Sequence, residues 1–379
     1  MIYLDNSAST FKKPKEVINA MTNAMNKFSA NPGRAGHKLA IDSARAVGEV
    51  REKLKNFVNA PKLENVIFTH NCTDSLNLAI LGSVLPRSHV ICTINEHNST
   101  LRPLFELVDK IGIEVTVVEP KSNEILTAND ILPFVKQNTT HVCVCHISNV
   151  DGMIADIDGI GELCQQKCLT FLVDGAQSCG HIPLDMQKSC IDMLAIAPHK
   201  GLFAPQGIGV LAFSKKVSLR PIRFGGTGTE SISLRQPLAP PEAFEAGTIC
   251  TPAICALGAG IDFINRNMQD YIKKIDDLTT YLNFELSRFS NVKVYTHPNN
   301  AYGVLAFNID KIASSEVSGM LDEEFFICTR AGLHCAPLKH KWLKTEKQGA
   351  VRASLCGFTT FSDCERLVKA VKILANRKL

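Results

Sequence analysis

Asp192-Met-Leu-Ala-Ile-Ala-Pro-His199-Lys200-Gly201 carries an apolar run straight into a histidine, a lysine and a glycine. Open α/β sheets collect their ligands beyond the C-terminal ends of strands, and a glycine there lets two backbones come close. The preceding segment Leu172-Val-Asp174-Gly-Ala-Gln177-Ser has the same form, ending an apolar run on a carboxylate. A carboxylate in that position is costly to bury unless a cation pairs with it. Outward from these two segments, short β-branched runs alternate with amphipathic stretches. Strands are expected over 66–69, 89–93, 113–119, 141–147, 169–174, 192–195 and 207–213, and helices over 73–84, 99–110, 127–135 and 159–167. The alternation predicts an α/β sheet layered by helices.

Past residue 250 the texture changes. Helices are expected over 251–265 and 268–289, strands near Val292 and Val304, a helix from Ser314 and a closing helix over 362–375. The expected organisation is a large α/β domain over 15–250 and a smaller α+β domain formed by 1–14 with 251–379, including a connecting helix. Residues 224–251, rich in Gly, Thr and Pro, read as an extended excursion of the kind that usually has a function.

Of the 379 residues, 45% are hydrophobic and 21% are charged, a balance that excludes disorder and supplies a substantial core. The longest uncharged stretch, Ala246 to Ile261, contains Pro252 and is too short to span a bilayer. Met-Ile-Tyr-Leu-Asp5 has no basic or apolar leader, so the cytoplasm is expected. A net charge of +4 with interspersed signs disfavours nucleic acid. The 14 cysteines include no CxxC pair, so most are expected to be small buried hydrophobes and no metal site is expected.

Strand-end Asp174 and Lys200 suit pyridoxal 5'-phosphate, which needs a Schiff-base lysine and an acid on its ring nitrogen. Alone, Lys200 also reads as a solvated surface lysine. Asn71-Cys72-Thr73 follows a strand and opens a helix, where free amides and the Thr73 hydroxyl suit a phosphate; an ordinary cap is the alternative. His97, after the next strand, is placed to stack on a ring, and the Asn149 amide to reach a ring substituent, unless they are simply loop and turn residues.

Tyr3-Leu-Asp-Asn-Ser-Ala, Asn31-Pro-Gly-Arg34-Ala-Gly-His37, Val173-Asp-Gly-Ala-Gln-Ser, Pro198-His-Lys-Gly, Phe244-Glu-Ala-Gly-Thr248 and Arg330-Ala-Gly-Leu-His-Cys335-Ala together resemble the cysteine desulfurase and selenocysteine lyase family. These are class V aminotransferase-fold enzymes, and the likeness covers essentially the whole chain. It implies a fold-type I pyridoxal-phosphate transferase: a mostly parallel seven-stranded sheet with helices on both faces, plus a smaller C-terminal α+β domain.

The resemblance also implies roles. Lys200 would carry the cofactor and act as base, with Asp174 on the ring nitrogen, Gln177 and Asn149 near the ring hydroxyl, and His97 on the ring. Thr73, with its neighbour Cys72, and His199 would meet the phosphate. Gly226 and Thr248 would reach the partner subunit's phosphate, implying a homodimer. Arg352 would grip the substrate carboxylate, with Asn149, Arg34 and Arg330 nearby. Cys335 would attack the substrate sulfur, leaving L-alanine and a persulfide for a sulfur-acceptor protein, as in iron–sulfur cluster assembly.

The interval from Cys335 to Arg352 resembles that of the short-catalytic-loop group. Selenocysteine lyase, another class V enzyme, or a cofactor-free scaffold are the alternatives. Ala197, Cys356-Gly-Phe-Thr-Thr and Thr248-Ile-Cys-Thr-Pro depart from the commoner family sequence.

Overall fold

Alternate side chains of the apolar runs face opposite ways, so one strand feeds two cores. In the computed structural model, which describes residues 1–33, 35–121 and 125–377, Phe171 and Val173 join one buried cluster while Leu172 between them joins another.

In chain order the first half comprises β1 Ile2–Tyr3, α1 Lys15–Lys27, α2 Lys38–Phe57, β2 Val66–Thr69, α3 Cys72–Ser83, β3 His89–Thr93, α4 Asn98–Ile111, β4 Glu114–Val118, α5 Ala128–Ile131, β5 Thr139–Cys145, α6 Ile157–Gln166 and β6 Thr170–Asp174. There follow β7 Met193–Ile196, β8 Gly209–Phe213, α7 Thr251–Ser287, β9 Val292–Val294, β10 Val304–Ile309, α8 Ser314–Phe325, β11 Ile327–Cys328, β12 Arg330–Gly332, α9 Pro337–Trp342, β13 Ala350–Ser354 and α10 Phe361–Ala375.

The large sheet has seven strands in the order β2-β8-β7-β6-β5-β3-β4. Neighbours from β7 to β4 run parallel, while β8 is antiparallel to both β7 and β2. The first cluster packs α2, α6 and the first half of α7 on one face; the other packs α3 and α4 on the opposite face. Burial on both faces makes β6, β7 and β8 continuous apolar runs rather than alternating ones. The expected α/β class and mostly parallel sheet are therefore what the chain forms.

A second, antiparallel sheet runs β12-β13-β10-β9. The second half of α7, α8 and α10 contribute to its core. The N-terminus joins this half, β1 pairing parallel with β11.

Several elements differ from expectation. Helices expected over 251–265 and 268–289 are one continuous α7. Its polar Asn265-Arg-Asn267 stretch holds no Pro or Gly to break it, and Asn267 Nδ2 donates back to Phe263 O at 2.7 Å. The helix expected over 127–135 ends at Ile131 in a 3-10 turn, Leu132–Phe134. Pro133 has no N–H with which to extend it. Helices α1 and α2 have no counterpart among the expected elements, although α2 buries Ala40, Ser43, Val47, Val50 and Leu54 at helical spacing. No helix among the described residues is long and apolar enough to cross a membrane.

Candidate active site at the sheet ends

A cavity of about 220 Å³ opens beyond the C-terminal ends of β5, β6 and β7, with Asp174, Lys200, His97, Thr73, Asn149 and Arg352 on its wall. Cys72, Gln177, His199 and Arg330 line it as well. Side chains drawn from sequence positions hundreds of residues apart thus meet in one space.

The sheet register sets its floor. Asp174, the last residue of β6, pairs with Ala195 of β7, and the chain then turns through Pro198 to Lys200. Asp174 is 4% exposed, accepting from Ala176 N at 2.9 Å and facing the Cys72 thiol at 3.8 Å. Burial raises its pKa above the ordinary carboxylate value, while the Ala176 amide, Lys200 and Cys72 pull it down. Among the described residues no basic nitrogen lies within 4.0 Å of it. Lys200 shares the cavity without touching it; loss of water lowers the lysine pKa and Asp174 opposes that shift. Gly201 is required here, since a Cβ on it would overlap the carbonyl of Cys179.

Thr73 lies in the first turn of α3, capped by the Asn71 side chain accepting from Asp74 N at 2.9 Å. Its hydroxyl is 2.8 Å from Ser99 Oγ. His97 caps α4, its Nδ1 accepting from Ser99 N at 3.1 Å. That bond fixes the neutral tautomer with the proton on Nε2. Burial, then Lys200 and nearby arginines, lowers the His97 pKa to about 4. His199 is likewise lowered to about 4, by burial and then Lys200 and Lys13. Its Nδ1 meets Ser9 Oγ at 3.2 Å and its carbonyl accepts from Thr10 Oγ1 at 3.0 Å.

Gln177 Nε2 is committed to Ser7 O at 3.0 Å, and Asn149 Nδ2 to His334 O at 2.7 Å. Asn149 Oδ1 is buried without a partner among the described residues. Arg352 of β13 pairs in register with Arg330 of β12. Cys335 follows β12, exposed, and lines a second cavity of about 470 Å³. The two cavities share Thr73, His97 and Ser99.

Not every expected residue converges. Thr248 lines a separate cavity with Phe68, His70 and Arg223. Gly226 is exposed, its carbonyl accepting from Gly247 N at 2.9 Å. Arg34 lies outside the described residues. Conversely Ser99, Ser7 and Asp5 stand in or behind the wall without having been singled out as site residues. Ser99 was readable as the residue after a His-Asn helix start, and Asp5 lay inside a quoted motif without a role.

The wall fits pyridoxal phosphate. Asp174 is a buried carboxylate with no cation in contact among the described residues, Lys200 lines the same cavity, and the N-terminus of α3 lines it too. A ring nitrogen, a carbonyl carbon and a phosphate answer those three features in turn.

Comparison with known proteins agrees. The class V aminotransferase family model matches residues 2–367. The chain is 33% identical to a probable cysteine desulfurase of Methanothermobacter thermautotrophicus, covering 99% of this chain and 94% of that protein. It is 32% identical to one of Pyrococcus abyssi, with 99% and 94% covered. The apo structure of cysteine desulfurase from Thermococcus onnurineus NA1 superposes with a TM-score of 0.93 at 31% identity, covering 99% of this chain and 94% of that one. A likeness running the full length, with the family's strand-end acid and lysine brought to one cavity, places the chain in the class V aminotransferase family.

Proposed function

We propose that the chain is a pyridoxal-phosphate-dependent cysteine desulfurase, converting L-cysteine to L-alanine and leaving a persulfide on Cys335. The observation carrying this reading is an exposed cysteine, Cys335, on a cavity that shares Thr73, His97 and Ser99 with the one holding Asp174 and Lys200. Neither amino transfer nor simple elimination calls for a thiol there.

Asp174 would hold the ring nitrogen, Lys200 the carbonyl carbon, Thr73 and His199 the phosphate, and neutral His97 the ring face. Asn149 Oδ1 and Gln177 would lie by the ring hydroxyl, with Cys72 behind Asp174. When bound, the cofactor supplies an electron sink that acidifies the substrate's α-proton. Lys200 takes that proton; its lowered pKa favours the free amine that a base requires. Arg352, with Arg330 beside it, holds the substrate carboxylate. The Cys335 thiolate attacks the substrate sulfur: an S–S bond forms and the C–S bond breaks. The carbon keeps the electron pair, takes a proton and leaves as alanine. The sulfur stays on Cys335 for a sulfur-acceptor protein, such as one feeding iron–sulfur cluster assembly.

The reading extends to a homodimer in which Thr248 and Gly226 reach across to the partner's phosphate. It also includes a large unit over 15–250, a smaller one formed by 1–14 with 251–379, and a reducing cytoplasm suited to free thiols.

Cys335→Ser tests the thiol step. Alanine release from L-cysteine should fall at least about 100-fold with cofactor absorbance unchanged, and mass spectrometry should find added sulfur on Cys335 of the unaltered protein only. Undiminished alanine release sinks the persulfide step. Selenocysteine in place of cysteine measures which chalcogen the site favours.

A further inference from the structure

Arg352 and Arg330 face each other across β13 and β12, both on the cavity wall. Like charges directly opposite one another in a strand pair repel, a cost that an anion beside them removes. Arg352 has one fixed anion: Asp5 Oδ1, 2.6 Å from Nη2. Asp5 belongs to the N-terminal segment, bridged to Ser354 and followed by the turn that brings Ser7 and Ala8 to the cavity.

That contact leaves the cation half satisfied. Nη1 donates to Asn149 O at 3.0 Å, while Nε has no partner among the described residues although Arg352 is only 1% exposed. A buried N–H without an acceptor is costly, and the natural partner of a guanidinium is a carboxylate taken through two parallel bonds. Arg352 is fixed within a sheet, whereas the Asp5 side chain is 21% exposed and has water to turn toward.

We propose that Asp5 is a placeholder carboxylate: it pairs with Arg352 while the site is empty and yields the guanidinium to the α-carboxylate of the incoming amino acid. The inference rests on the reading of Arg352 as the group that holds the substrate carboxylate. The exchange trades a one-point contact for one that also engages Nε. It keeps the buried cation paired at every stage, and it lowers carboxylate affinity by the strength of the bond that must first break.

The test uses the cofactor-loaded protein, with propanoate binding followed by calorimetry beside steady-state kinetics. Asp5→Asn keeps the shape and removes the charge; propanoate should bind about five- to tenfold tighter. KM for L-cysteine should fall by a similar factor with kcat changed less than about twofold. Arg352→Lys should weaken propanoate at least about tenfold.

Equal or weaker propanoate binding by Asp5→Asn, with Arg352→Lys still weakening it, overturns the placeholder role and leaves the reading of Arg352 intact. Propanoate binding indifferent to Arg352→Lys overturns that reading itself. Should Asp5→Asn not fold, Asp5→Glu carries the test. Asp5→Glu keeps the charge but moves it one methylene along, so propanoate affinity shifted more than about twofold while Arg352→Lys still weakens it supports the competition, and an unmoved affinity overturns it.

Discussion

The floor of the Lys200 cavity and the rim formed by Cys335 on the adjoining cavity are built in opposite ways. At the floor, Asp174 and Lys200 follow β6 and β7, paired in register, with Gly201 pressed against the Cys179 carbonyl. At the rim, Cys335 follows His334 on two successive left-handed residues, φ 58° and 48°, with its thiol exposed. Neither is glycine, and such a conformation costs about 1–3 kcal/mol per residue. Hydrogen bonds to the carbonyls of the rim tie it down: Asn98 N donates to Cys335 O and the Asn149 side chain, through Nδ2, to His334 O, each at 2.7 Å. Groups that grip a cofactor gain from a rigid sheet edge. A thiol that meets first a substrate and then an acceptor gains from a loop.

Lys200→Ala should break the floor alone. Alanine formation should drop on the order of 10³-fold or more, while iodoacetamide alkylates Cys335 at its unaltered rate. Loss of both would show floor and rim to be one unit.

Native alkylation followed by peptide mapping sharpens the contrast among thiols. Cys335 and Cys168 are exposed, whereas Cys179 and Cys364 are buried and burial pushes their pKa up to about 12. Labelling of the buried pair should be slower by about 100-fold or more; comparable rates would refute the burial.

Gly201→Ala should lower unfolding stability by about 1–3 kcal/mol through overpacking. Denaturant titration with an unmoved midpoint would contradict the close approach.

The last effect is that of pH on the buried histidines on and just beyond the central strand β5. Burial lowers His141 and His146 to about 4, against 6.5 for the ordinary side chain. Between those values the unfolded chain binds protons that the folded chain does not, so their stabilisation is complete above pH 6.5 and is lost toward pH 4. Unfolding stability measured in urea should fall from pH 7 to pH 5, by about 2 kcal/mol for each such histidine. A midpoint that rises over this interval would mean that they are charged in the fold.

How much of this was legible in the sequence depended on the range of the deciding interactions. Strands β2, β3, β6 and β8 fell where expected because burial on both faces writes itself as apolar runs. β11 and β12 left no such signature; Ile327–Cys328 and Arg330–Gly332 become strands through pairing with β1 and β13. The departure at Cys356-Gly357 has its reason in α7, since a Cβ on Gly357 would overlap the Tyr271 ring. Of the site, Asp174, Lys200, Thr73 and His97 were readable as polar residues at strand ends or helix starts. That Asn149 Nδ2 donates to His334 O while its Oδ1 lacks a partner among the described residues was not.

By itself the chain order of apolar runs determined the layered α/β class and the strand-end positions of the acid and the lysine, because those follow from local periodicity and burial. Only the tertiary structure decided that Arg352 faces Arg330 and leans on Asp5, and that Cys335 lines a cavity sharing Thr73, His97 and Ser99 with that of Lys200. Such pairings, across as many as 347 positions for Arg352 and Asp5, are set by sheet register and packing, which no local pattern encodes.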